Sequence, residues 1–420
     1  MSLKRLENLQ RLTPHLASIS LLALVSTLVY LIRNNGNVVH LDPRVFLQQG
    51  QIGNQNNSKI GNENNSSKAC NLFSGKWVYD NISYPLYNEK KCTFLDYEFG
   101  CVENGRKDLK YQNWRWQPHT CDLPRFNSTA LLEKIKGKKL VFVGDSLNRN
   151  QWTSMLCLLQ QHLSVSPKTS NRGPERIDNL YYHHVAEYNA TIGFYWSPML
   201  VESNCDEIKP NRNWPHVARI KSIERHGKYW IDADILVFDS FAWWMTYEIT
   251  ILWGSFGSPH AVYKTKMNRL RRYEIALSTW SDWVEVHVNR TRTKLFFMSA
   301  SPFRPGRTRW STDPSCYKKS EPTFNESYVS SFMNRDMMYI VESTIEKLLR
   351  RGVKVEYLNI TELSAHREDA HPATDRLIRN PTLTKDQWKN PAIYSDCLHW
   401  CLPGVPDIWN EILYAYIMKL

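Results

Sequence analysis

A serine at position 146 stands in a segment that could make it a nucleophile. The segment reads KLVFVGDSLNRNQWTSMLCLLQQ from Lys139 to Gln161. Lys139–Val143 is a short apolar run typical of a buried strand, Gly144 permits a sharp turn, and Leu147–Gln161 has the apolar spacing of an amphipathic helix. Ser146 is therefore predicted at a strand-to-helix turn, where backbone N–H groups of the helix N-terminus can stabilise an oxyanion. Gly-Asp-Ser is also an ordinary turn with a helix cap, so the motif alone leaves both interpretations open.

A serine hydroxyl needs a base to take its proton, and a candidate base lies near the other end of the chain. Asp396 and His399 occur in Tyr394–Asn410, which reads YSDCLHWCLPGVPDIWN. At this spacing the carboxylate can hold the imidazole in the tautomer that accepts a proton. Asp-x-x-His alone is also compatible with a solvated loop, but the two segments together supply the Ser, His and Asp of nucleophilic acyl transfer.

Both segments resemble the plant trichome-birefringence-like family. The resemblance is carried by VGDSLNRNQ and DCLHWCLPGVPDIWNE, together with CNLFSGKWVYDNISYPLY at 70–87, NGRKDLKYQNWRWQPHTCDLPRF at 104–126 and LNITELSAHREDAH at 358–371. It covers essentially everything from Cys70 onward, and the chain is most similar to the ESKIMO-like xylan branch. Enzymes of this family are polysaccharide O-acetyltransferases with a GDS serine and an Asp-x-x-His pair. The resemblance thus implies that Ser146, His399 and Asp396 are catalytic.

The resemblance also implies the reaction and its partners. Acetyl would pass from a co-substrate, acetyl-CoA or another acetyl carrier, to the serine and then to a hydroxyl of a cell-wall polysaccharide. The resemblance to the xylan branch implies that this polysaccharide is xylan. No bound cofactor and no metal are expected. Further residues expected to stabilise the oxyanion or to bind substrate are Gly144, Asp145, Arg149, Asn150, Asp239, Trp243 and Trp244. The alternatives are a polysaccharide acetylesterase, which uses the same three residues with water as acceptor, and a non-catalytic cell-wall glycan-binding protein.

Two positions depart from the family pattern. Related sequences commonly read Asn-[Ser/Thr]-x-x-Trp-Trp after the central strand, whereas this chain reads DSFAWW from Asp239 to Trp244. An ionised aspartate cannot donate a hydrogen bond, so any donor role of that asparagine toward the oxyanion would be missing here. The usual Ser-Pro-x-His is likewise Ser-Pro-Phe-Arg, ending at Arg304. Both changes bear on the substrate or the efficiency more than on the three reactive residues.

The elements that must position these residues alternate between strands and helices. Besides Lys139–Val143, the candidate strands are Thr191–Trp196, Ala233–Phe241, Lys294–Ser301 and Val353–Ile360. A helix is predicted at Ser331–Arg351 because Gly352 is a strong stop signal. This alternation favours an α/β fold with a mostly parallel sheet covered on both faces, and the architecture resembles the GDS-esterase (SGNH-type) sandwich. Residues at the carboxyl ends of such strands line the site, as Ser146 would.

The cysteines indicate an oxidising compartment. All nine, at positions 70, 92, 101, 121, 157, 205, 316, 397 and 401, lie beyond an apolar N-terminal segment. Zinc binding is the rival use, but the chain has no CxxC pair. The family resemblance implies four disulfides, with Cys205 unpaired: Cys70–Cys121, Cys92–Cys157, Cys101–Cys401 and Cys316–Cys397. Short aromatic runs and turn signals between 70 and 126 predict an irregular, disulfide-tied minor lobe, with the catalytic α/β domain at 127–420.

The N-terminal segment is predicted to anchor the protein in a membrane. His15–Ile32 is uncharged over eighteen residues, enough to cross a bilayer as a helix, and Lys4, Arg5 and Arg11 precede it. We therefore expect a cytosolic tail at 1–14, a Golgi signal anchor at 15–32 and a flexible lumenal stem at 33–69, which is rich in Asn, Gln and Ser. A cleaved signal peptide is the competing interpretation. Sequons that fit the secretory pathway occur at Asn56, Asn64, Asn65, Asn81, Asn127, Asn189, Asn289, Asn325 and Asn359.

Composition suggests how a polysaccharide could be held. The chain has 16 tryptophans, of which Trp114, Trp116, Trp243 and Trp244 could stack on sugar rings, although core packing is the commoner role. The net charge of +12 could attract a polymer bearing uronic acids, although a solvated basic surface explains it equally well. The arginines considered for this role are Arg269, Arg271, Arg272, Arg304, Arg307 and Arg309. Nucleic acid is not expected as a partner, because a lumenal domain rarely meets it.

Overall fold

A computed structural model describes residues 70–163, 174–207, 215–302, 316–325, 335–376 and 384–420. The predicted tail, signal anchor and stem lie outside the described residues, and so do Arg304, Arg307 and Arg309. Within the described ranges, no helix is both long enough and apolar enough to span a bilayer.

Strands and helices alternate through most of the described chain. The strands are β1 Gly75–Tyr79, β2 Trp114–Pro118, β3 Lys139–Gly144, β4 Glu175–Ile177, β5 Leu180–Val185, β6 Ala190–Trp196, β7 His216–Arg219, β8 Ile235–Asp239, β9 Ile249–Trp253, β10 Val262–Lys264, β11 Lys294–Met298 and β12 Val355–Leu358. The helices are α1 Ser128–Lys134, α2 Ser146–Leu159, α3 Glu224–Gly227, α4 Ala242–Thr246, α5 Arg269–His287, α6 Arg335–Arg350, α7 Thr361–Ala365, α8 Lys385–Trp388, α9 Pro391–Tyr394 and α10 Val405–Lys419.

The central sheet contains all five predicted strands. Its order is β12-β11-β8-β3-β6-β5-β4, with parallel pairing from β12 to β6 and an antiparallel edge formed by β5 and β4. The expectation of a mostly parallel sheet is confirmed. The predicted strands at 233–241, 294–301 and 353–360 are longer than the observed ones, because each prediction included residues after the strand and the first and third also included two residues before it.

The order of the parallel strands creates a natural site between β3 and β8. Numbered along the chain, the five parallel strands lie in the spatial order 2-1-3-4-5, so successive crossovers leave β3 and β8 in opposite directions. In open α/β sheets, ligands bind in the crevice at the carboxyl ends of the strands where this reversal occurs. Gly144 ends β3 and pairs in register with Asp239, which ends β8. The turn that carries Ser146 therefore stands at this crevice.

The sheet has a separate apolar core on each face. Along β3, Leu140 and Phe142 belong to the core that includes side chains of α2 and α10. Val141 and Val143 belong to the other core, which includes side chains of α5 and α6. This alternation follows from the two-residue period of a strand, and the four side chains are fully buried. Two buried faces explain why the strand reads as a continuous apolar run.

The segment from Cys70 to Phe126 is an irregular lobe with one antiparallel pair of strands, β1 and β2. Its tyrosines reach the last helix: the Tyr84 hydroxyl donates to the Glu411 carboxylate and the Tyr87 hydroxyl donates to Asp407. The implied disulfides are confirmed, with Cα–Cα distances of 5.7, 5.3, 5.5 and 5.6 Å in the order given above. Cys205 is free and buried. Two of the four bonds, Cys92–Cys157 and Cys101–Cys401, tie the lobe to the α/β domain.

Candidate active site

The turn between β3 and α2 presents Ser146 as predicted. The helix begins at Ser146, and the Asp145 carboxylate caps it by accepting the Leu147 N–H at 2.9 Å. Gly144 is required because a Cβ at that position would overlap the carbonyl oxygen of Asp239 on the neighbouring strand. Ser146 itself is partly exposed at the helix N-terminus, while Asp145 is fully buried behind it. A serine held this way has its hydroxyl accessible and its backbone N–H at the positive end of the helix dipole.

The structure brings the three predicted reactive residues together across 253 positions of sequence. His399 Nε2 lies 2.7 Å from Ser146 Oγ, and His399 Nδ1 lies 2.8 Å from Asp396 Oδ2. The other carboxylate oxygen of Asp396 accepts the backbone N–H groups of Leu398 and His399 at 3.0 and 3.1 Å. This local turn is the reason for the three-residue spacing, because it folds the imidazole back over the carboxylate.

The loop that carries His399 is held by long-range bonds on both sides. Cys397 is bonded to Cys316 and Cys401 to Cys101. Asn150 of α2 holds the residue after His399 at both backbone groups: its Oδ1 accepts the Trp400 N–H at 2.8 Å and its Nδ2 donates to the Trp400 carbonyl at 3.2 Å. Asn150 therefore connects α2, the helix that begins at Ser146, to the His399 loop. This geometry gives it a positioning role and does not support the predicted contact with an oxyanion.

Burial and neighbouring charges keep His399 neutral. The His399 side chain is 10% exposed, and its pKa is lowered to about 3, first by burial and then by the guanidinium of Arg376. Arg376 forms an ion pair with Asp396, and its Nη1 also lies 3.2 Å from His399 Nδ1. Glu98 opposes this effect, since its negative charge raises the pKa of His399. A neutral imidazole is the form that can accept the proton of a serine.

Two carboxyl groups are buried beside the nucleophile turn. Burial raises the pKa of Asp145 to about 6, against the hydrogen bond from the Leu147 N–H, which favours its charged form. Burial and the nearby charge of Asp145 raise the pKa of Asp239 well above its ordinary value. Within the described ranges, no group of three or more His, Cys, Asp or Glu side chains is arranged to hold a metal ion.

Comparison with known proteins agrees with this geometry. Residues 123–416 match the PC-Esterase family, described as GDSL/SGNH-like acyl esterases found in Pmr5 and Cas1p. The chain belongs to the PC-esterase family. Residues 68–122 match the PMR5 N-terminal domain, so the minor lobe has a family description of its own.

Named relatives of this PC-esterase agree with the resemblance to the trichome-birefringence-like family. Protein trichome birefringence-like 34 from Arabidopsis thaliana is 46% identical over 358 residues, which cover 84% of this chain and 86% of the relative. Xylan O-acetyltransferase 14 from Oryza sativa subsp. japonica is 44% identical over 377 residues, covering 83% and 77%. Xylan O-acetyltransferase 13 from the same organism is 44% identical over 357 residues, covering 83% and 70%.

The minor lobe of this PC-esterase contributes to the site in a way that the sequence did not indicate. Phe99 is fully buried and its ring centroid lies 5.8 Å from that of His399. Asp96 and Glu98 form ion pairs with Arg149 of α2, and Glu98 lies 3.8 Å from Arg376. Arg149, predicted to bind substrate or stabilise the oxyanion, thus connects α2 to the lobe. No spacing rule links residues near 98 with residues 149 and 376, so these contacts appear only in the folded chain.

Several predicted sugar-binding side chains are in fact core residues. Trp244 is 1% exposed, and its indole N–H donates to Ser240 Oγ. Trp116 is 4% exposed, and its indole N–H donates to the Leu72 carbonyl. Neither ring has a face open to a sugar. Arg272 is likewise buried, where it pairs with Glu248 and donates to the Ile249 carbonyl. Sequence composition cannot distinguish these residues from exposed ones, because large aromatic side chains serve both purposes.

Other predicted side chains remain available at the surface. Trp243 is partly exposed and contacts Trp196, His216 and Tyr247. Trp114 is also partly exposed, while Arg271 is exposed and paired with Glu274. These residues stay candidates for contact with a polymer.

Proposed function

We propose that this PC-esterase is an O-acetyltransferase that acetylates hydroxyl groups of a xylan-type cell-wall polysaccharide. The observation that carries the proposal is the hydrogen-bonded series from Ser146 through His399 to Asp396 at the carboxyl edge of the sheet. The names of two relatives, each covering 83% of this chain, support xylan as the acceptor. Nucleophile, base and orienting carboxylate together provide what acyl transfer through a covalent intermediate requires.

In the first half of the reaction, the acetyl group moves to the enzyme. His399 Nδ1–H donates to Asp396, which leaves Nε2 as the acceptor for the Ser146 proton. Ser146 Oγ then attacks the carbonyl carbon of the donor, and the backbone N–H of Ser146 at the helix N-terminus stabilises the resulting oxyanion. When this intermediate collapses, the bond to the donor breaks, His399 returns the proton to the leaving group, and acetyl-Ser146 remains.

In the second half, the acetyl group moves to the sugar. A hydroxyl of the polysaccharide takes the place of the donor and loses its proton to His399 as it attacks the acetyl carbonyl. Collapse of the second tetrahedral intermediate breaks the bond to Ser146, which recovers its proton from His399. In an acetylesterase, water would attack in place of the sugar, with the same three residues in the same roles.

A polar cavity at the same edge of the sheet is a suitable acceptor site. It has a volume of about 530 Å³ and is lined by one aromatic residue, one amide, two arginines and three acids: Tyr181, Asn179, Arg176, Arg225, Asp178, Asp206 and Glu207. The cavity is linked to the strand next to β3, because the Trp196 N–H at the end of β6 donates to the carbonyl of Asn179 in its lining. The Arg176 guanidinium lies 5.1 Å from the centroid of the Tyr181 ring. Polar groups around one aromatic ring are a common arrangement for binding a sugar.

The donor and the location of the enzyme belong to the same proposal. The donor is acetyl-CoA or another acetyl carrier that acts as a co-substrate, with no resident cofactor. The protein is a single-pass type II protein of the Golgi membrane, anchored by residues 15–32, with its catalytic domain in the lumen. Four disulfides support passage through an oxidising compartment.

The proposal is tested by following where the acetyl group goes. The purified protein is incubated with an acetyl donor and unacetylated xylo-, manno- and pectic oligosaccharides, and the products are identified by mass spectrometry. We expect acetylated xylo-oligosaccharides that appear faster than free acetate. Release of acetate from acetylated xylan, with no transfer, would favour the acetylesterase. Binding of the oligosaccharides with neither reaction would favour a glycan-binding protein.

A further inference from the structure

Asp239 is a buried carboxyl group next to the nucleophile turn. It ends β8, directly opposite Gly144 at the end of β3, and it is 4% exposed. Its Oδ1 is shielded from solvent and has no hydrogen-bond partner, and the same is true of Oδ2 of the fully buried Asp145. Two carboxyl groups that both lack a cationic partner cannot both be charged in such a place without a large cost in desolvation and repulsion. The pair therefore holds a proton.

The surroundings decide which carboxyl holds it. Asp145 accepts the Leu147 N–H at 2.9 Å at the start of α2, and this hydrogen bond favours its charged form. Asp239 receives no such hydrogen bond, and the titratable groups that face it are Asp145 from the nucleophile turn and Tyr273 from α5. Burial raises the pKa of Tyr273 well above its ordinary value, so this phenol stays neutral beside Asp239. Asp145 is thus the group that ionises first.

We propose that Asp239 stays protonated at neutral pH and acts as a positioning residue, leaving Asp145 as the single charged cap beneath Ser146. A neutral carboxyl group has nearly the shape of an asparagine amide and can donate a hydrogen bond as the amide does. The aspartate at this position, expected from the sequence to be an ionised group without a donor, is then a neutral substitute for the family asparagine. Loss of its proton would place two like charges side by side and displace the turn that carries the nucleophile.

The proposal makes a prediction about stability that does not depend on the enzyme's reaction. An aspartate in the unfolded chain loses its proton near about pH 4, whereas folded Asp239 keeps it. Between the pKa of this aspartate in the unfolded chain and its higher pKa in the folded chain, the folded state binds more protons than the unfolded state. Asp239 therefore lowers the free energy of unfolding progressively as the pH rises. The amide in Asp239→Asn does not titrate in this pH range. The melting temperature of this variant should therefore rise relative to the natural protein by several degrees between about pH 4 and about pH 8.

Thermal unfolding of the full chain across this pH range is the deciding experiment. Asp232→Asn is the matched control, because Asp232 is an exposed carboxyl just before the same strand, and its melting temperature should stay parallel to that of the natural protein. Asp239→Leu provides a second variant if Asp239→Asn does not fold, and it should show the same pH trend. A melting difference for Asp239→Asn that stays constant with pH, or that becomes less favourable as the pH rises, would overturn the proposal.

The positioning role rests on the proposed acetyl transfer and has its own readout. Asp239→Asn should lose the alkaline decline in rate that the proposal predicts for the natural enzyme. Asp239→Leu should be slow at every pH because its branched apolar side chain cannot take the place of the planar carboxyl group beside the nucleophile turn. Identical alkaline limbs in the natural enzyme and Asp239→Asn would refute the role. Absence of transfer by every form, with the melting trend as expected, would reject the enzymatic function while leaving the protonated carboxyl established.

Discussion

The two halves of the candidate site are held in place by different kinds of bonds. Ser146 is fixed by local structure: a buried strand, a turn that needs Gly144, and a helix capped by Asp145. His399 lies on a loop that is held from elsewhere, by two disulfides, by Asn150 and by the ring of Phe99. The nucleophile half therefore depends on one continuous segment, whereas the base half depends on contacts spread over most of the chain. Perturbing distant contacts should disturb the base much more than the nucleophile.

The largest expected effect comes from removing the base itself. His399→Ala should lower turnover by about 10⁴-fold or more, and Asp396→Asn by a smaller factor, because the orienting carboxylate contributes less than the proton acceptor in comparable sites. The measurement is the initial rate of acetyl transfer, with melting temperature as the check on folding. Near-normal transfer by a folded His399→Ala would show that another group takes the proton.

Next in size is the loss of the disulfide that holds the loop. Cys316→Ser with Cys397→Ser opens a link with a sequence separation of 81. It should lower stability by about 2–4 kcal/mol, and kcat should fall by about 10²-fold because the imidazole loses its alignment.

The matched control for this disulfide is the pair Cys70→Ser and Cys121→Ser, whose link has a separation of 51 and joins two ends of the minor lobe. We expect a comparable loss of stability with kcat nearly unchanged. Equal losses of kcat in both double variants would mean that the loop depends on overall stability and not on its own link.

Asn150 should give a smaller and more specific effect. Asn150→Ala removes both hydrogen bonds to the Trp400 backbone and should cost about 1–3 kcal/mol of stability together with a clear fall in kcat. Asn410→Ala is the control, because the Asn410 amide donates to Gln151 and Ser154 but does not contact the loop. It should lower stability to a similar extent while leaving the rate largely intact. If the two variants lose activity equally, Asn150 has no special part in positioning His399.

The smallest predicted effect is a shift in pH dependence. Because the pKa of folded His399 lies below its ordinary value of about 6.5, the base stays neutral in mildly acidic solution, and kcat/KM should have no acidic limb near that pH. Arg376→Gln removes a charge that lowers the pKa of His399, so the acidic limb of kcat/KM should move to higher pH. Glu98→Gln removes a charge that raises this pKa, so the acidic limb should move to lower pH. The charged form is disfavoured in the folded state, so stability should also fall as the pH drops below about 6.5. Identical pH profiles in the two variants would contradict this account of the electrostatics.

The sequence predicts the locally built half of the site, around Ser146, better than the half around His399. The Ser146 turn and the parallel sheet were predictable because strand length, turn residues and helix period are local signals. The disulfide pairs followed from the family resemblance. Phe99, Glu98 and Arg376 were not predictable, because nothing in their own segments indicates that they meet at His399. Trp244 was predicted to contact substrate but is buried, because its exposure depends on which distant residues pack against it, and its own segment does not show this.

Trapping the acetyl group on the enzyme tests the central claim most directly. Isotopically labelled acetyl donor is added to the protein without any acceptor, and the protein is digested and analysed by mass spectrometry. We predict label on the peptide that contains Ser146, its loss on addition of xylo-oligosaccharide, and no label in Ser146→Ala. A folded Ser146→Ala variant that still transfers acetyl groups at near the normal rate would contradict the assignment of Ser146 as the nucleophile.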